Sequence, residues 1–150
     1  MELKGSHRLE APRALVWKYL NTPEVLQACV PGCESFSETG ADEYAAVVVA
    51  AIGPVKARFK GTLVIGEKQA PARYRIVGQG DGGMAGFGKM VADVELAEEG
   101  EGTLLSYTAQ AQVGGKLAQI GSRVVGSVAG KLAEEFFRRF SATVGEKAQT

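Results

Sequence analysis

The chain has 150 residues, of which 45% are hydrophobic and 23% charged, as expected for one globular domain of ordinary size. Its 17 basic and 17 acidic side chains cancel, so no net positive charge attracts nucleic acid or anionic lipid. The N-terminus lacks an apolar signal core, and no run approaches the ~18 apolar residues of a membrane span. We therefore expect one cytoplasmic domain over residues 1–150.

The N-terminal third predicts a strand followed by two short helices. Polar and apolar residues alternate over residues 2–10, which is typical of a half-buried strand. Pro12 then occupies the first turn of a helix, where its missing N–H has no cost. Thr22 as N-cap and Pro23 at the first helical position begin a second helix, which ends near Ala28.

The middle of the chain predicts six further strands in an antiparallel meander. Clusters of glycine, proline and acidic residues recur at the intervals expected of turns between short strands. The strand after Gly53-Pro54 and the last strand each alternate strictly, so the sheet has one dry and one wet face. The turn clusters are Gly40-Ala41-Asp42, Gly53-Pro54, Gln69-Ala70-Pro71, Gly80-Asp81-Gly82-Gly83 and Glu99-Gly100-Glu101-Gly102.

The apolar period becomes helical after Gly115 and stays so to about Val144. The apolar stripe drifts around the helix axis, which predicts either a bend near Gly126–Gly130 or a helix that wraps over a curved sheet. One strand, two short helices, six strands and one long helix together predict an α+β fold. In this fold a curved seven-stranded antiparallel sheet wraps around a long C-terminal helix.

A curved sheet and a straight helix leave a gap unless large side chains fill it, and many expected inward positions are small. Such positions indicate either close helix approach or an unfilled pocket, and the pattern leaves both open. The small inward residues are Gly5, Ala46, Ala50, Ala57, Gly61, Ala109, Ala111 and Gly121. Aromatic residues that pack in the core or line the pocket are Trp17, Tyr44, Phe59, Tyr74, Phe87 and Tyr107.

Few residues have metal-binding or catalytic potential. His7 is the only histidine, so a histidine-rich metal site is excluded, and it is either a core residue or a hydrogen-bonding partner of a ligand. Cys29 and Cys33 have three residues between them and no second pair, which indicates buried free thiols rather than a zinc or thioredoxin-like site. We find no phosphate loop, dinucleotide-binding glycines, nucleophile elbow or His-Glu-x-x-His, and we predict neither a catalytic residue nor a metal.

Basic residues recur on the predicted outer sheet face. If the strands that carry them are neighbours, they form a basic band. Such a band is either a solvated surface or a docking patch for an acidic partner or a lipid head group. The residues are Lys56, Arg58, Lys60, Arg73 and Arg75.

Several segments together resemble the CoxG subunit of carbon monoxide dehydrogenase. The resemblance covers nearly the whole chain and is specific as a set, although each piece alone is weak. Its segments are Ala11-Pro12 with Val16-Trp17, Thr22-Pro23-Glu24-Val25-Leu26, Cys29-Val30-Pro31-Gly32-Cys33-Glu34, Ile52-Gly53-Pro54-Val55-Lys56-Ala57, Phe59-Lys60-Gly61, Gly86-Phe87-Gly88-Lys89, the run from Val113 to Arg123, and Phe136-Phe137.

The resemblance implies a START-like (SRPBCC), helix-grip fold of the Bet v 1 type that holds an apolar ligand between sheet and helix. It also implies an accessory protein without cofactors of its own, serving a molybdenum carbon monoxide dehydrogenase or a related xanthine-oxidase-type enzyme. Such proteins are associated with membrane recruitment and with binding a quinone, here menaquinone or ubiquinone. Longer members carry a membrane-contacting C-terminal extension, whereas this sequence stops at Thr150, so we expect at most peripheral contact with the inner face of the membrane.

Three functions follow as hypotheses. The first is a quinone- or lipid-binding accessory protein, with His7, Tyr74 or Tyr107 bonding a ligand oxygen. The second is an enzyme of the cyclase or hydratase kind, which needs an acid–base group among His7, Asp93 and Glu95. The third is a ligand-free module that docks through the basic residues. The expected ligand contacts on the long helix are Leu117, Ile120, Gly121, Val124, Val125 and Val128.

Overall fold

The fold of residues 1–149 is given by a computed structural model with seven strands and four α-helices. The chain begins with strand β1, continues through two short helices and six strands, and ends in two helices. The elements are β1 (Glu2–Leu9), α1 (Arg13–Leu20), α2 (Pro23–Cys29), β2 (Cys33–Gly40), β3 (Glu43–Ile52), β4 (Val55–Gln69), β5 (Arg73–Asp81), a 3-10 turn (Gly83–Ala85), β6 (Phe87–Glu99), β7 (Gly102–Gly114), α3 (Lys116–Ile120) and α4 (Ser122–Ala148).

All seven strands form one antiparallel sheet in the order β1-β7-β6-β5-β4-β3-β2. Strands β2 to β7 are consecutive hairpins, as the turn clusters predict, and β1 pairs with β7 to complete the sheet. The expected α+β fold, with two short helices after the first strand and a long helix at the C-terminus, is confirmed.

The C-terminal helix is interrupted, but not where the sequence pattern placed the bend. Gly121 separates α3 from α4 with a φ of +102°, a backbone region that only glycine enters readily. Gly126 and Gly130 lie inside the continuous helix α4 instead. A Cβ at Gly126 would lie 3.3 Å from the sulfur of Met1, so that glycine allows close packing of the N-terminus. The helical break therefore lies at Gly121, before the Gly126–Gly130 segment in which the sequence pattern placed a bend.

The interior is densely filled at only one end of the sheet, which we call the sealed half. Here α4 packs against α2 and β1, and α1 packs against β6 and β7. Phe140, Leu9 and Leu105 are almost completely excluded from solvent. The sealed half comprises Leu9, Ala11, Val16, Leu20, Cys29, Tyr74, Val94, Leu96, Leu105, Phe140 and Val144. Within residues 1–149, no helix is long and apolar enough to cross a membrane.

Candidate ligand groove

At the other end of the sheet, which we call the open half, the inward positions are apolar but only partly covered. The main neighbours of α4 are α2 and β1, so the middle strands β4 to β6 receive little cover from it. The inward side chains of β3 and of much of β4 remain half-buried although they face the helical layer, whereas on β5 and β6 the inward residues Tyr74, Ala92, Val94 and Leu96 are buried. The half-buried inward residues are Val48, Ala50, Ile52, Val55, Ala57, Phe59 and Leu63.

Glycines form the floor of the open half. Gly80 pairs with Gly61 on β4 and with Gly88 on β6, so three inward positions in one row across the sheet lack side chains. A Cβ at Gly80 would meet no atom within 4 Å. At Gly78, one inward position earlier, it would lie 3.0 Å from Leu63 Cδ2. The space above Gly80 is therefore unfilled, whereas the space above Gly78 is already occupied.

The end of this groove lies at the junction of α3 and α4. A Cβ at Gly53, in the turn between β3 and β4, would lie 3.4 Å from both Ile120 Cγ2 and Val124 Cγ1. Val124 is 38% exposed, and a Cβ at Gly121 would meet open space. Apolar side chains therefore border an opening rather than close it. We call this opening the mouth of the groove.

The predicted ligand contacts divide between the two halves of the interior. Four of them border the open half or its mouth, namely Phe59, Ile120, Gly121 and Val124. Tyr44 contacts Phe36, with 5.6 Å between the ring centroids. Leu117 and Val125 are buried, whereas Trp17 and Val128 are half-buried.

Phe87 does not face the groove. The inward positions of β6 are Gly88, Met90 and Ala92, and Phe87 has the opposite parity. Its ring is 48% exposed and lies over Gly114. The sequence pattern placed Phe87 among the pocket aromatics because the first residue of a strand gives no indication of the face to which it belongs. The structure corrects that assignment.

His7 belongs to an aromatic stack at the border of the sealed half. Its ring centroid lies 4.2 Å from that of Phe137 and 6.3 Å from that of Tyr107, and all three rings are nearly parallel. Burial lowers the pKa of His7, and the nearby charge of Glu134 opposes this shift. The imidazole is therefore neutral at pH 7 and packs as an aromatic ring.

Two tyrosines near the groove have hydroxyls without protein partners. Tyr74 is 5% exposed and Tyr44 is 7% exposed, and neither hydroxyl forms a hydrogen bond in the described chain. Arg13 Nε is the one described side-chain nitrogen or oxygen that is both sealed from solvent and unpaired. The two hydroxyls therefore retain accessible surface. Burial, with a smaller contribution from Tyr44, raises the pKa of Tyr74 far above its usual range, so this hydroxyl stays a neutral donor.

The expected basic band is not continuous. Lys60 is level with Asp81 on β5, whereas Arg75 is level with Gly66 further along β4, so the cations form two separate groups. Arg58 binds Glu34, with 2.8 Å between Nε and Oε1. The arginines of β5 are also paired with carboxylates, Arg75 with Asp93 and Arg73 with Glu95. Hydrogen bonds from Arg58 and Arg75 lower the pKa of Glu34 and Asp93 respectively.

The two cysteines are free thiols in different environments. Cys29 is buried, with its sulfur 3.9 Å from Oγ1 of Thr143 on α4. Cys33 is half-buried at the start of β2 and donates to the carbonyl of Ser35. Burial raises the pKa of both thiols, which makes them poor nucleophiles at neutral pH. Among residues 1–149, no cluster of three or more His, Cys, Asp or Glu is suited to a metal ion.

Sequence reasoning missed Gly80, Met90 and Phe137 as residues that shape the groove and its border. Gly80 was assigned to a turn because it precedes Asp81-Gly82-Gly83, and only the register of β4, β5 and β6 reveals the row of glycines. The ring of Phe137 was visible as part of the apolar stripe of the long helix. Its stacking on His7 depends on contacts between residues far apart in the sequence.

A surface cleft whose lining includes Tyr74 and Val94 has a different character. It has a volume of about 700 Å³ and opens broadly to solvent. Its walls include Glu67, Arg75 and Asp93, which already neutralise one another in ion pairs. An apolar ligand gains little from such a surface. The groove of the open half is therefore the better candidate site.

A curved antiparallel sheet, two short helices after its first strand, and a groove under a long C-terminal helix define a START-like, helix-grip protein. Solved structures agree with this class. A START superfamily protein from Mycobacterium smegmatis superposes with a TM-score of 0.68 at 13% identity, covering 99% of this chain and 97% of that one. The Zhui aromatase/cyclase from Streptomyces sp. R1128 has a TM-score of 0.69 at 14% identity, covering 96% and 93%.

The family is more specific than the fold. The family model of the carbon monoxide dehydrogenase CoxG subunit matches residues 5–145, and this chain belongs to that family. A conserved protein from Geobacillus kaustophilus is 32% identical, with a TM-score of 0.91 and coverage of 97% of this chain and 96% of that one. The comparison with curated proteins found no match. The resemblance to CoxG and to START-like proteins is thus confirmed.

Proposed function

We propose that this protein is a non-catalytic accessory protein that binds a hydrophobic ligand, a quinone, for a molybdenum carbon monoxide dehydrogenase or a related xanthine-oxidase-type enzyme. The observation that carries the proposal is the unfilled apolar space above Gly80, between half-buried walls and a mouth at Ile120 and Val124. Protein interiors are otherwise close-packed, so a row of glycines facing the helical layer indicates room for a ligand.

The chemistry of the groove favours a ligand that is mostly hydrocarbon. The side chains that form its walls are aliphatic and aromatic, and its polar groups are tyrosine hydroxyls rather than charged side chains. Each methylene that leaves water contributes about 0.8 kcal/mol, so an isoprenoid tail binds well with few polar contacts. A quinone combines such a tail with carbonyl oxygens that accept hydrogen bonds.

The end of the molecule that carries the mouth also supports contact with a membrane. The exposed apolar residues here are Met84 at 86%, Phe87 at 48% and Val124 at 38%. In residues 53–60, 79–90 and 112–124 the only carboxylate is Asp81, whereas these segments carry six cations, of which Arg58 is paired with Glu34 on β2. We call this surface the basic tip; its cations are Lys56, Arg58, Lys60, Lys89, Lys116 and Arg123.

A zero net charge for the whole chain therefore conceals an uneven distribution. Each lysine or arginine near an anionic bilayer contributes about 1 kcal/mol, and exposed apolar side chains add insertion energy. In this proposal the basic tip rests on the cytoplasmic leaflet, and the mouth at Val124 faces the lipid from which the quinone comes. The partnership with the dehydrogenase rests on the family to which the chain belongs.

The enzyme hypothesis lacks support at the groove. Asp93 and Glu95 lie on the outer face, where arginines pair with them, and His7 is stacked against Phe137. General acid–base catalysis requires a titratable group within hydrogen-bond reach of the substrate. The likeness to an aromatase/cyclase extends to the fold, at 14% identity. The docking-module hypothesis loses its continuous basic band, although the basic tip remains.

The test is native mass spectrometry of the purified protein, followed by organic extraction of the material that co-purifies. We expect a quinone at about one molecule per chain. Protein without ligand that shows no mass shift on addition of menaquinone or ubiquinone analogues would contradict the proposal. A bound fatty acid or phospholipid would retain the binding function and replace the quinone.

A further inference from the structure

The hydroxyl of Tyr74 is the most unusual polar group near the groove. The side chain is almost entirely buried, yet its oxygen has no partner in the described chain. An uncompensated hydroxyl in an apolar site costs free energy, so buried hydroxyls normally have partners. Because the hydroxyl retains accessible surface, its partner comes from outside the chain, either water or an oxygen of a bound ligand.

The position of Tyr74 fits a role at the inner end of the groove. Along β5 the inward residues are Tyr74, Ile76, Gly78 and Gly80, so side chains shrink from the sealed half towards the open half. Tyr44, on the neighbouring side of the groove, is close enough to raise the pKa of Tyr74. The Tyr74 ring is fixed by an edge-to-face contact with Trp17, with 5.3 Å between centroids.

The other candidate hydroxyl, that of Tyr107, has a different environment. Its oxygen lies over Gly5 on the edge strand β1, where a Cβ would approach it to 3.1 Å. Its ring is stacked on Phe137 and His7. It therefore points towards the β1 side of the sheet, away from Tyr44 and the row of glycines.

We propose that Tyr74 is the polar anchor of the groove, donating a hydrogen bond to a carbonyl oxygen at the buried end of the ligand. This inference rests on the proposed function and deepens it, because it gives the ligand a direction. The carbonyl end lies against Tyr74. The hydrocarbon tail passes above the Leu63 side chain that covers Gly78, continues over Gly80 towards Val124 and leaves through the mouth. A ligand carbonyl is required, whereas a second polar group along the tail is not.

The chain provides its own reporter for this arrangement. Trp17 is the only tryptophan, and it touches the proposed anchor directly. A quinone head group at Tyr74 quenches Trp17 fluorescence, whereas a quinone bound elsewhere on the surface leaves the fluorescence largely unchanged. Two observables, quenching and affinity, therefore report on the same site independently.

The experiment compares three ligands with equal tails, namely a decyl-substituted benzoquinone, the methyl ester of a fatty acid, and decylbenzene. Affinities are measured by displacement of Nile red from the wild-type protein, Tyr74→Phe and the control Tyr107→Phe. For Tyr74→Phe we expect a loss of about 5- to 10-fold for the quinone, as for one net hydrogen bond, and no change for decylbenzene. The control keeps both affinities, and the quinone quenches Trp17 in all three proteins at saturation.

Each other outcome has a defined meaning. Unchanged quinone affinity in Tyr74→Phe, or an equal loss for quinone and decylbenzene, overturns the anchor and leaves the binding function intact. A loss confined to the ester retains the anchor and overturns the quinone as ligand. Failure of every ligand to displace Nile red from the wild-type protein overturns the proposed function together with this inference.

Discussion

The sealed half and the open half belong to the same sheet, yet the size of their inward residues differs greatly. On β6 the inward series is Leu96, Val94, Ala92, Met90 and Gly88, and it decreases in bulk towards the open half with one exception. The helices follow the same division, since α1, α2 and the C-terminal part of α4 cover the end with large residues. Stability and ligand space are thus assigned to opposite ends of one layer.

The largest expected effect is the loss of stability on truncating one phenylalanine in each half, which tests that division. Phe140 is fully buried, so Phe140→Ala leaves a cavity and lowers the free energy of unfolding by about 3–5 kcal/mol. Phe59 is half-buried in the open half, and Phe59→Ala costs about 1–2 kcal/mol because part of its surface is already in contact with water. Urea unfolding measures both values. Equal losses would contradict the division into two halves.

The next effect distinguishes filled from unfilled space on one strand. Gly78→Leu places a side chain against Leu63 and Met90, and we expect a destabilisation of about 1–3 kcal/mol from overpacking. Gly80→Leu enters open space, so stability changes by less than about 1 kcal/mol. The same Gly80→Leu substitution occupies the groove and weakens ligand binding by about tenfold or more, as measured by Nile red fluorescence. A folded Gly80→Leu protein with wild-type affinity would exclude this part of the groove as the binding site.

A smaller effect is expected at the surface of the open half. The double reversal Lys56→Glu with Lys89→Glu changes the sign of two charges on the basic tip. We expect co-sedimentation with vesicles of phosphatidylserine and phosphatidylcholine to weaken by about tenfold at low salt. The control, Lys4→Glu with Lys18→Glu, makes the same change in net charge away from the tip. An equal loss in both variants would indicate a response to net charge alone.

The smallest effect concerns pH and the border between the halves. Burial lowers the pKa of His7 in the folded protein, so the unfolded chain binds a proton more readily as the pH falls through 6.5. Stability contributed by the neutral ring is therefore present above that pH and decreases below it. We expect His7→Phe to lose less of its free energy of unfolding between pH 7 and pH 5 than the wild-type protein does, as measured by urea unfolding at each pH. An unchanged pH dependence would assign it to other groups.

The sequence predicts the frame of this molecule better than its interior. Turn clusters and strict alternation define every strand of the meander, because hairpins are local and each requires particular residues at its turn. The pairing of β1 with β7, by contrast, joins strands about 100 residues apart and was not predicted from the sequence. The sequence does not show which of Gly121, Gly126 and Gly130 interrupts the C-terminal helix, because all three are glycines in one apolar stretch. Only the backbone distinguishes them, since Gly121 has a φ of +102°.

The candidate site was less predictable for a physical reason. Empty space depends on which residues lie side by side across strands, and Gly61, Gly80 and Gly88 are spread over three strands. The aromatic residues were noted as candidates, but their type alone does not separate a packed ring such as His7 from an unpaired donor such as Tyr74. Hydrogen-bond partners become visible only when the backbone of the whole domain is known.

The pairing of β1 with β7 has a consequence for biosynthesis. The N-terminal amine binds the carbonyl of Ala111, 110 residues away, and β1 lies beside β7 along its whole length. Contacts between residues so far apart in sequence form late, because the entropy cost of closing a long loop comes before the contacts can offset it. Phe140 and Val144, which complete the sealed half, lie on α4 and therefore leave the ribosome after all seven strands. The nascent chain can therefore form its hairpins early, but the apolar face of its sheet stays uncovered until α4 has been synthesised.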